Sequence, residues 1–119
     1  MARQLDFVGK SGVNYRYTAL EDDRIPPTAG ANYVIAETAP EGSRLLYAGE
    51  TENVMGADLA GRLEEVRQRW PAAELLLRLN VRRAVRVAER EDLVAAHLPP
   101  LNDPPEAPSV ENQDASPNP

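Results

Sequence analysis

The chain has 119 residues, which is enough for one compact domain. It has no cysteine, which excludes disulfides, thiolate zinc sites and cysteine catalysis, and its single histidine excludes a metal site made of several histidines. No apolar run approaches the roughly 20 residues that cross a membrane, and the N-terminal residues lack a signal peptide's apolar stretch, so we expect a soluble cytoplasmic protein with no membrane partner. The net charge of −6 is uneven: residues 103–119 hold four acidic and no basic residues, while residues 1–102 hold 15 acidic and 13 basic residues. It therefore argues only weakly against a nucleic-acid partner.

The first part of the chain has the pattern of a β-hairpin. Apolar and polar residues alternate in two runs that begin near Leu5 and Val13, and a period of two is typical of strands. The sequence Gly9–Gly12 between the runs is turn-forming. Residues 21–30 contain three acids, two prolines and a glycine, which indicates a loop. We take residues 1–29 as an N-terminal hairpin with its loop.

A second hairpin, two helices and one more strand are predicted next. Residues 32–36 and 44–48 are β-prone runs on either side of a turn at residues 40–42. From Asp58, a candidate N-cap, apolar residues recur at helical spacing to about Trp70, and Pro71 ends that helix. Residues 75–79 predict a buried strand and residues 82–98 a second helix. This order predicts an α+β fold, a small antiparallel-rich sheet flanked by helices.

Residues 103–119 differ in composition from the rest of the chain. They contain five of the eleven prolines, together with Ser, Asn, Asp and Glu. Such a segment cannot bury enough apolar surface to offset the loss of conformational entropy, so we predict a disordered, acidic, proline-rich tail. A tail of this kind could bind a protein partner.

The strongest cluster of charge lies in the last strand and the second helix, where five arginines occur: Arg78, Arg82, Arg83, Arg86 and Arg90. Because the arginine fork suits phosphate oxygens, this cluster could bind a nucleic-acid backbone. The alternative is a solvated helix face whose arginines pair with neighbouring acids.

Glu91 is the second candidate in that helix. Steps of 3.6 residues place it near the middle of an apolar stripe formed by Ala84, Val87, Val94 and Leu98. A carboxylate that faces the protein body needs an arginine, hydrogen-bond donors or a metal as its partner. A buried structural ion pair and a catalytic role both remain open.

Two tyrosines on neighbouring predicted strands carry a resemblance to a known family. Tyr33 lies in the run Ala-Asn-Tyr-Val-Ile, and Tyr47 begins the run Tyr-Ala-Gly that ends at Gly49. This pair resembles the signature of the GIY-YIG nuclease superfamily, in which two short strands carry Gly-Ile-Tyr and Tyr-Ile-Gly. Arg62 stands in the helix that follows, and residues 91–94 and 99–102 resemble the closing helix and its Pro-x-x-Asn-like ending. The resemblance covers residues 30–102 and makes the N-terminal hairpin an addition.

The resemblance implies hydrolysis of a phosphodiester, with DNA favoured over RNA. Tyr33 or Tyr47 would act as general base or orient the water, and Gly49 would allow close approach of the backbone. Arg62 would stabilise charge on the phosphate, while a helix carboxylate would hold one Mg²⁺ or Mn²⁺. Asn102 would support the site. Without the resemblance, both tyrosines would be interpreted as core residues with satisfied hydroxyls.

The second helix departs from the family pattern. The metal carboxylate is expected at position 90, where this chain has Arg90, and a step to Glu89 or Glu91 rotates a side chain by about 100°. Glu91 is our first candidate for a metal ligand and Glu89 the alternative. We therefore expect a GIY-YIG-like domain that binds nucleic acid and whose catalysis is weakened or lost. The alternatives are an active metal-dependent endonuclease and a protein-interaction module without a nucleic-acid role.

Overall fold

The computed structural model describes residues 3–20, 27–40 and 42–102. Its elements are β1 (Gln4–Val8), β2 (Asn14–Ala19), β3 (Ala31–Ala39), β4 (Gly42–Thr51), a short 3-10 turn (Met55–Ala57), α1 (Leu59–Arg67), β5 (Ala73–Leu79) and α2 (Arg83–His97). The predicted α+β class and element order are confirmed, although β3 and β4 are longer than expected and α1 is shorter. The predicted disordered tail of residues 103–119 lies outside the described residues.

The five strands form one antiparallel sheet in the order β1-β2-β5-β3-β4. The central strand β5 pairs with β3 over seven positions, from Ala31 to Glu37. On its other side β5 pairs with β2 only at Thr18 and Ala19. The N-terminal hairpin is thus part of the same sheet as the later strands, and β4 forms the opposite edge.

Side chains alternate along each strand, so the sheet has an apolar face on both sides, and each helix covers one of them. On the α1 face, Tyr33 and Ile35 of β3 pack in one cluster with Leu59 and Val66 of α1. On the α2 face, Val34 and Ala36 pack in a second cluster with Leu93 of α2. The central strand has cores on both sides, which explains its continuous apolar run of leucines. Within the described ranges, neither helix is long and apolar enough to cross a membrane.

Helix α1 begins as predicted at Asp58. The side chain of Asp58 accepts a hydrogen bond of 3.3 Å from the backbone N–H of Gly61, which is the geometry of an N-cap. Asp58 itself has a left-handed backbone, with φ of 50°. At the other end, the backbone N–H groups of Arg69 and Trp70 both donate to the carbonyl of Val66, so the last turn tightens before Pro71.

Helix α2 buries a different face from the one predicted. Glu91 is exposed, as are Ala84 and Leu98 of the expected apolar stripe, and the buried residues are Arg86 and Leu93. The prediction of an inward-facing Glu91 is therefore wrong. The physical reason is that α2 turns Arg86 toward the sheet, where a carboxylate of β4 neutralises it, and this rotation of the helix leaves Glu91 on the outside.

That arginine, Arg86, is 3% exposed. Its Nε donates to Oε1 of Glu50 at 2.9 Å, and its Nη1 donates to the carbonyl of Asn80 at 3.0 Å. A Cβ at position 30 would collide with the same guanidinium, so Gly30 leaves the room that it needs. The charge of Arg86 is thus both neutralised and hydrogen-bonded inside the protein.

Asn32 ties this ion pair to β3. The Asn32 side chain is fully buried; its Nδ2 donates to the carbonyl of Arg86 at 2.9 Å, and its Oδ1 accepts from Nδ2 of Asn80 at 3.1 Å. Because both the nitrogen and the oxygen of the Asn32 amide have a hydrogen-bond partner, these bonds offset the free-energy cost of burying the amide. We refer to Gly30, Asn32, Glu50, Asn80 and Arg86 together as the Arg86 network.

A second set of polar contacts attaches the N-terminal hairpin to α2. Asp92 accepts hydrogen bonds from the backbone N–H of Ser11 at 2.9 Å, from the Ser11 hydroxyl at 2.6 Å and from the Tyr15 hydroxyl at 2.7 Å. The hydrogen bonds from Ser11 and Tyr15 lower the pKa of Asp92 below its ordinary value. Burial and the contact with Asp92 raise the pKa of Tyr15 to about 12.

The Asp92 contacts predict a specific dependence of stability on pH. Because the pKa of Asp92 is lower in the folded than in the unfolded chain, the ionised carboxylate stabilises the fold above its ordinary pKa of 3.8, and this contribution is lost as the pH falls through the folded value. We expect Asp92→Asn to lower the Tm at neutral pH and to match the wild type in strong acid. Thermal unfolding followed by circular dichroism across this range measures the difference. An equal Tm difference at every pH would contradict it.

The Arg86 network predicts strong non-additivity. Arg86→Met leaves the largely buried carboxylate of Glu50 without its counter-charge, so we expect it to lower the free energy of unfolding by about 3–5 kcal/mol. The double variant Arg86→Met with Glu50→Leu leaves no unpaired charge and should lose much less. Urea unfolding of the two single variants and the double variant forms the cycle. If the double variant is as unstable as the sum of the singles, the ion pair is not the stabilising element.

Candidate functional site

A cleft of about 720 Å³ opens at the β4 edge of the sheet, between α1 and α2. Its walls bring together residues from four parts of the chain: Tyr47, Arg62, Arg90, Glu91, Val94, Ala95, Leu101 and Asn102. Four of the residues that the resemblance predicts for one site, Tyr47, Arg62, Glu91 and Asn102, thus line the same cleft.

Tyr33 lies directly behind this cleft. The strand register pairs Tyr33 with Gly49, and Ile35 with Tyr47, so the two tyrosines are diagonal neighbours on one face of the sheet. Their ring centroids are 5.8 Å apart at an interplanar angle of 33°. Tyr33 is buried and Tyr47 is partly exposed, so it is Tyr47 that forms part of the cleft wall.

Gly49 makes room for this tyrosine pair. A Cβ at position 49 would lie 2.6 Å from Cζ of Tyr33 and 2.8 Å from Cε2 of Tyr47, which is closer than real Cβ atoms approach. The two tyrosine rings therefore require a glycine at this position, whereas the close approach of the Gly49 backbone in a nuclease site, which the resemblance implies, stays a prediction.

The two hydroxyls differ in what they can do. Burial, followed by the neighbouring Tyr47, raises the pKa of Tyr33 to about 12, and the positive charge of Arg62 offsets only part of this rise. Tyr33 is also buried behind the cleft wall, whereas Tyr47 lines the cleft. Of the two tyrosines proposed as general base, only Tyr47 is therefore placed to contact a ligand in the cleft.

Arg62 stacks on the exposed side of Tyr47. Its Cζ lies 5.1 Å from the centroid of the Tyr47 ring, within the range of a cation–π contact. A cation–π contact uses the charge of the guanidinium and does not consume its N–H groups as hydrogen-bond donors. Arg62 is the cationic group best placed to receive a phosphate in this cleft.

Asn102 closes the cleft by binding the free edge of β4. Its Oδ1 accepts from the Ala48 N–H at 2.8 Å, and its Nδ2 donates to the Ala48 carbonyl at 2.8 Å. The adjacent N–H of Leu101 donates to the carbonyl of Leu46 at 3.0 Å. These bonds satisfy backbone groups that an edge strand would otherwise expose, and they hold Leu101 and Asn102 in the wall.

The residues available for a metal are few. Both Arg90 and Glu91 line the cleft, with Glu91 exposed, whereas Glu89 accepts from Nε of Arg78 at 3.0 Å. In residues 3–20, 27–40 and 42–102, no three His, Asp or Glu side chains lie close enough to hold a metal together. A single carboxylate beside an arginine does not fit a resident Mg²⁺ or Mn²⁺, which binds several oxygen ligands.

The five arginines of the predicted cluster do not share one surface. Arg86 is buried in the Arg86 network, and Arg78 pairs with Glu89 and lies 5.4 Å from the ring centroid of Tyr15. Arg82 and Arg83 are exposed at the start of α2, and Arg90 alone of the five lines the cleft. Arg78 thus pairs with an acid of α2, as the alternative interpretation expects, whereas Arg86 is buried, pairs with Glu50 of β4 and is not part of a solvated helix face.

A second pocket that the sequence did not predict adjoins the cleft. It has a volume of about 220 Å³ and shares Tyr47, Arg62 and Leu101 with it; its other walls are Ile35, Glu65, Val66, Arg69 and Trp70. The Cζ of Arg69 lies 4.5 Å from the Trp70 ring centroid. Arg62 and Arg69 are seven residues apart, which is about two turns of a helix. This spacing was the one sign in the sequence that the two side chains lie on the same face.

Comparison with known proteins adds no further assignment. No protein-family model, curated protein or solved structure matches the chain significantly. The function is therefore argued from the geometry of the cleft.

The packing at Gly49 predicts a steric effect on the site. Gly49→Ala forces the Tyr33 and Tyr47 rings apart, so we expect a loss of about 1–3 kcal/mol in the free energy of unfolding. The matched control is Gly56→Ala, where the nearest atom to an added Cβ is 3.5 Å away, and it should leave stability almost unchanged. Chemical denaturation measures both variants. Equal effects at the two positions would show that the tyrosine rings do not limit the space.

Proposed function

We propose that this protein binds nucleic acid in the cleft between α1 and α2, as a GIY-YIG-like domain whose hydrolytic activity is weakened or lost. The observation that carries the proposal is the meeting of Tyr47, Arg62, Glu91 and Asn102 in one cleft, because they come from four separate segments. Their order along the chain is the one that the family resemblance implies. DNA is favoured as the ligand, and RNA is the alternative.

The cleft offers phosphate-binding chemistry. Arg62 and Arg90 each present a guanidinium fork, which can give two parallel hydrogen bonds to phosphate oxygens. Tyr47 adds a hydroxyl that can donate to the same group. Because two arginines replace counterions on the backbone, binding should weaken as salt is raised, with a slope of log K near −2 for duplex DNA.

The same residues give reasons for weak catalysis. Water must be activated before it attacks a phosphodiester, and this takes a base with a suitable pKa or a metal ion. Tyr33 is protonated at neutral pH, and Arg90 stands beside Glu91, the one cleft carboxylate. The cleft thus resembles a phosphate receptor more closely than a hydrolytic centre.

An active metal-dependent endonuclease remains the second candidate. It is favoured by the exposed carboxylate of Glu91 in the cleft that also holds Tyr47 and Arg62. Oxygens of a bound substrate would have to complete the coordination of Mg²⁺ or Mn²⁺. A protein partner for the acidic segment stays a prediction, because residues 103–119 lie outside the described ranges.

Removal of the Arg62 guanidinium tests the binding site. We expect Arg62→Ala to weaken binding of a short fluorescein-labelled DNA duplex by roughly tenfold at low salt, because a charge-assisted contact to phosphate is lost. Fluorescence anisotropy titrations with DNA and then RNA measure this. Arg44→Ala, an exposed arginine of β4 outside the cleft, is the matched control and should bind normally. An Arg82→Ala variant that binds as weakly as Arg62→Ala would move the interface to the start of α2.

Glu91 separates the two candidate activities. If the cleft only binds, Glu91→Gln should bind DNA somewhat more tightly, because a negative charge beside the phosphate is removed, and neither protein should cleave DNA with Mg²⁺ or Mn²⁺. A gel assay of a labelled duplex, run beside the anisotropy titration, gives both results. Cleavage by the wild type that Glu91→Gln abolishes would instead establish the endonuclease.

A further inference from the structure

The pocket beside the cleft has the chemistry of a stacking site. Its floor consists of core residues, Ile35 and Val66, and one wall is the partly exposed ring of Trp70, with the exposed guanidinium of Arg69 lying 4.5 Å from its centroid. Aromatic rings and guanidinium planes are the two protein surfaces on which nucleobases stack. Because Arg69 already lies on the Trp70 ring, a flat, neutral, aromatic group would stack on the part of this Arg69–Trp70 pair that lines the pocket.

The position of the pocket relates it to the phosphate site. Arg62 and Tyr47 border both the cleft and the pocket. A phosphate held by Arg62 therefore places its own nucleotide next to the pocket. The wall holds Glu65 as well as Arg62 and Arg69, and the floor is apolar. Burial of a charged phosphate against an apolar floor is costly, whereas a neutral base can cover it, so the base is the part of the nucleotide that suits the pocket.

We infer that the Trp70 pocket receives an unpaired nucleobase, so that the protein prefers single-stranded nucleic acid, or an unpaired end, to a continuous duplex. In a duplex each base is stacked and paired, and its extraction costs a few kcal/mol. This inference rests on the proposed phosphate binding at Arg62 and adds the class of ligand to it. It applies to DNA and RNA alike, because both present the same faces of the bases.

The only tryptophan of the chain reports on the pocket directly. The intrinsic fluorescence of the full chain is followed while three short probes are added: a single strand, the duplex of the same sequence, and a strand of equal length in which every base is replaced by an abasic unit. We expect the single strand to quench Trp70 and to bind about tenfold more tightly than either other probe, since stacking of one base is worth about that factor.

Three substitutions at two positions, Trp70 and Arg69, test the inference by a second route. Anisotropy with a labelled single strand should show tight binding by Trp70→Phe, which retains an aromatic face, and about tenfold weaker binding by Trp70→Leu. Arg69→Gln, at an exposed position, removes the second stacking plane without touching the core and should also weaken the single strand. Thermal unfolding of each variant separates a lost contact from a lost fold, and Arg44→Ala is the control.

The outcomes distinguish this inference from the function on which it rests. If the abasic strand binds as tightly as the normal strand and Arg62→Ala weakens both, the base pocket is overturned while phosphate binding in the cleft stands. If the duplex and the single strand bind equally tightly and neither quenches Trp70, the base pocket is likewise overturned and phosphate binding in the cleft stands. If none of the three probes binds, the proposed function fails together with the pocket.

Discussion

The buried pair of Arg86 and Glu50 is the contact on which the arrangement of this protein depends. It joins α2 to β4 at the same end of the sheet where Asn32 joins α2 to β3. An interior charge tolerates little displacement, because a small movement would leave guanidinium hydrogens without acceptors. The pair therefore determines how α2 is rotated and translated on the sheet, more strictly than apolar packing alone.

The rotation of α2 in turn decides which residues reach the cleft. With Arg86 turned inward, Arg90 and Leu93 fall on or beside the same face, and Glu91 turns outward to the rim of the cleft. A helix anchored through an apolar stripe centred on Glu91 would have sent that carboxylate into the core. The residues of α2 that line the cleft thus owe their positions to an ion pair outside it, so the same contact affects both the stability of the fold and the geometry of the cleft.

The sequence was informative where a pattern is local. Alternation predicted the strands, and Asp58 predicted the start of α1, since each depends on neighbours in the chain or on one hairpin. The burial of Arg86 could not be predicted in this way, because its partner Glu50 lies 36 residues earlier in the chain and an arginine on a helix is ordinarily solvated. The Trp70 pocket was not predicted for a related reason. The sequence pattern assigns Trp70 to the apolar face of the first helix, and the pocket also needs Leu101, which lies 31 residues later in the chain.

Asn102 has a consequence for the chemical durability of the protein. A single side-chain amide imitates the peptide group of an additional strand, donating to and accepting from Ala48. Deamidation would turn it into a carboxylate of nearly the same shape that still accepts from the Ala48 N–H but has no hydrogen to give to the carbonyl. Two oxygens would then face each other at the cleft wall, and Leu101 would lose the anchor beside it. A molecule altered in this way would have a loosened wall between the cleft and the pocket.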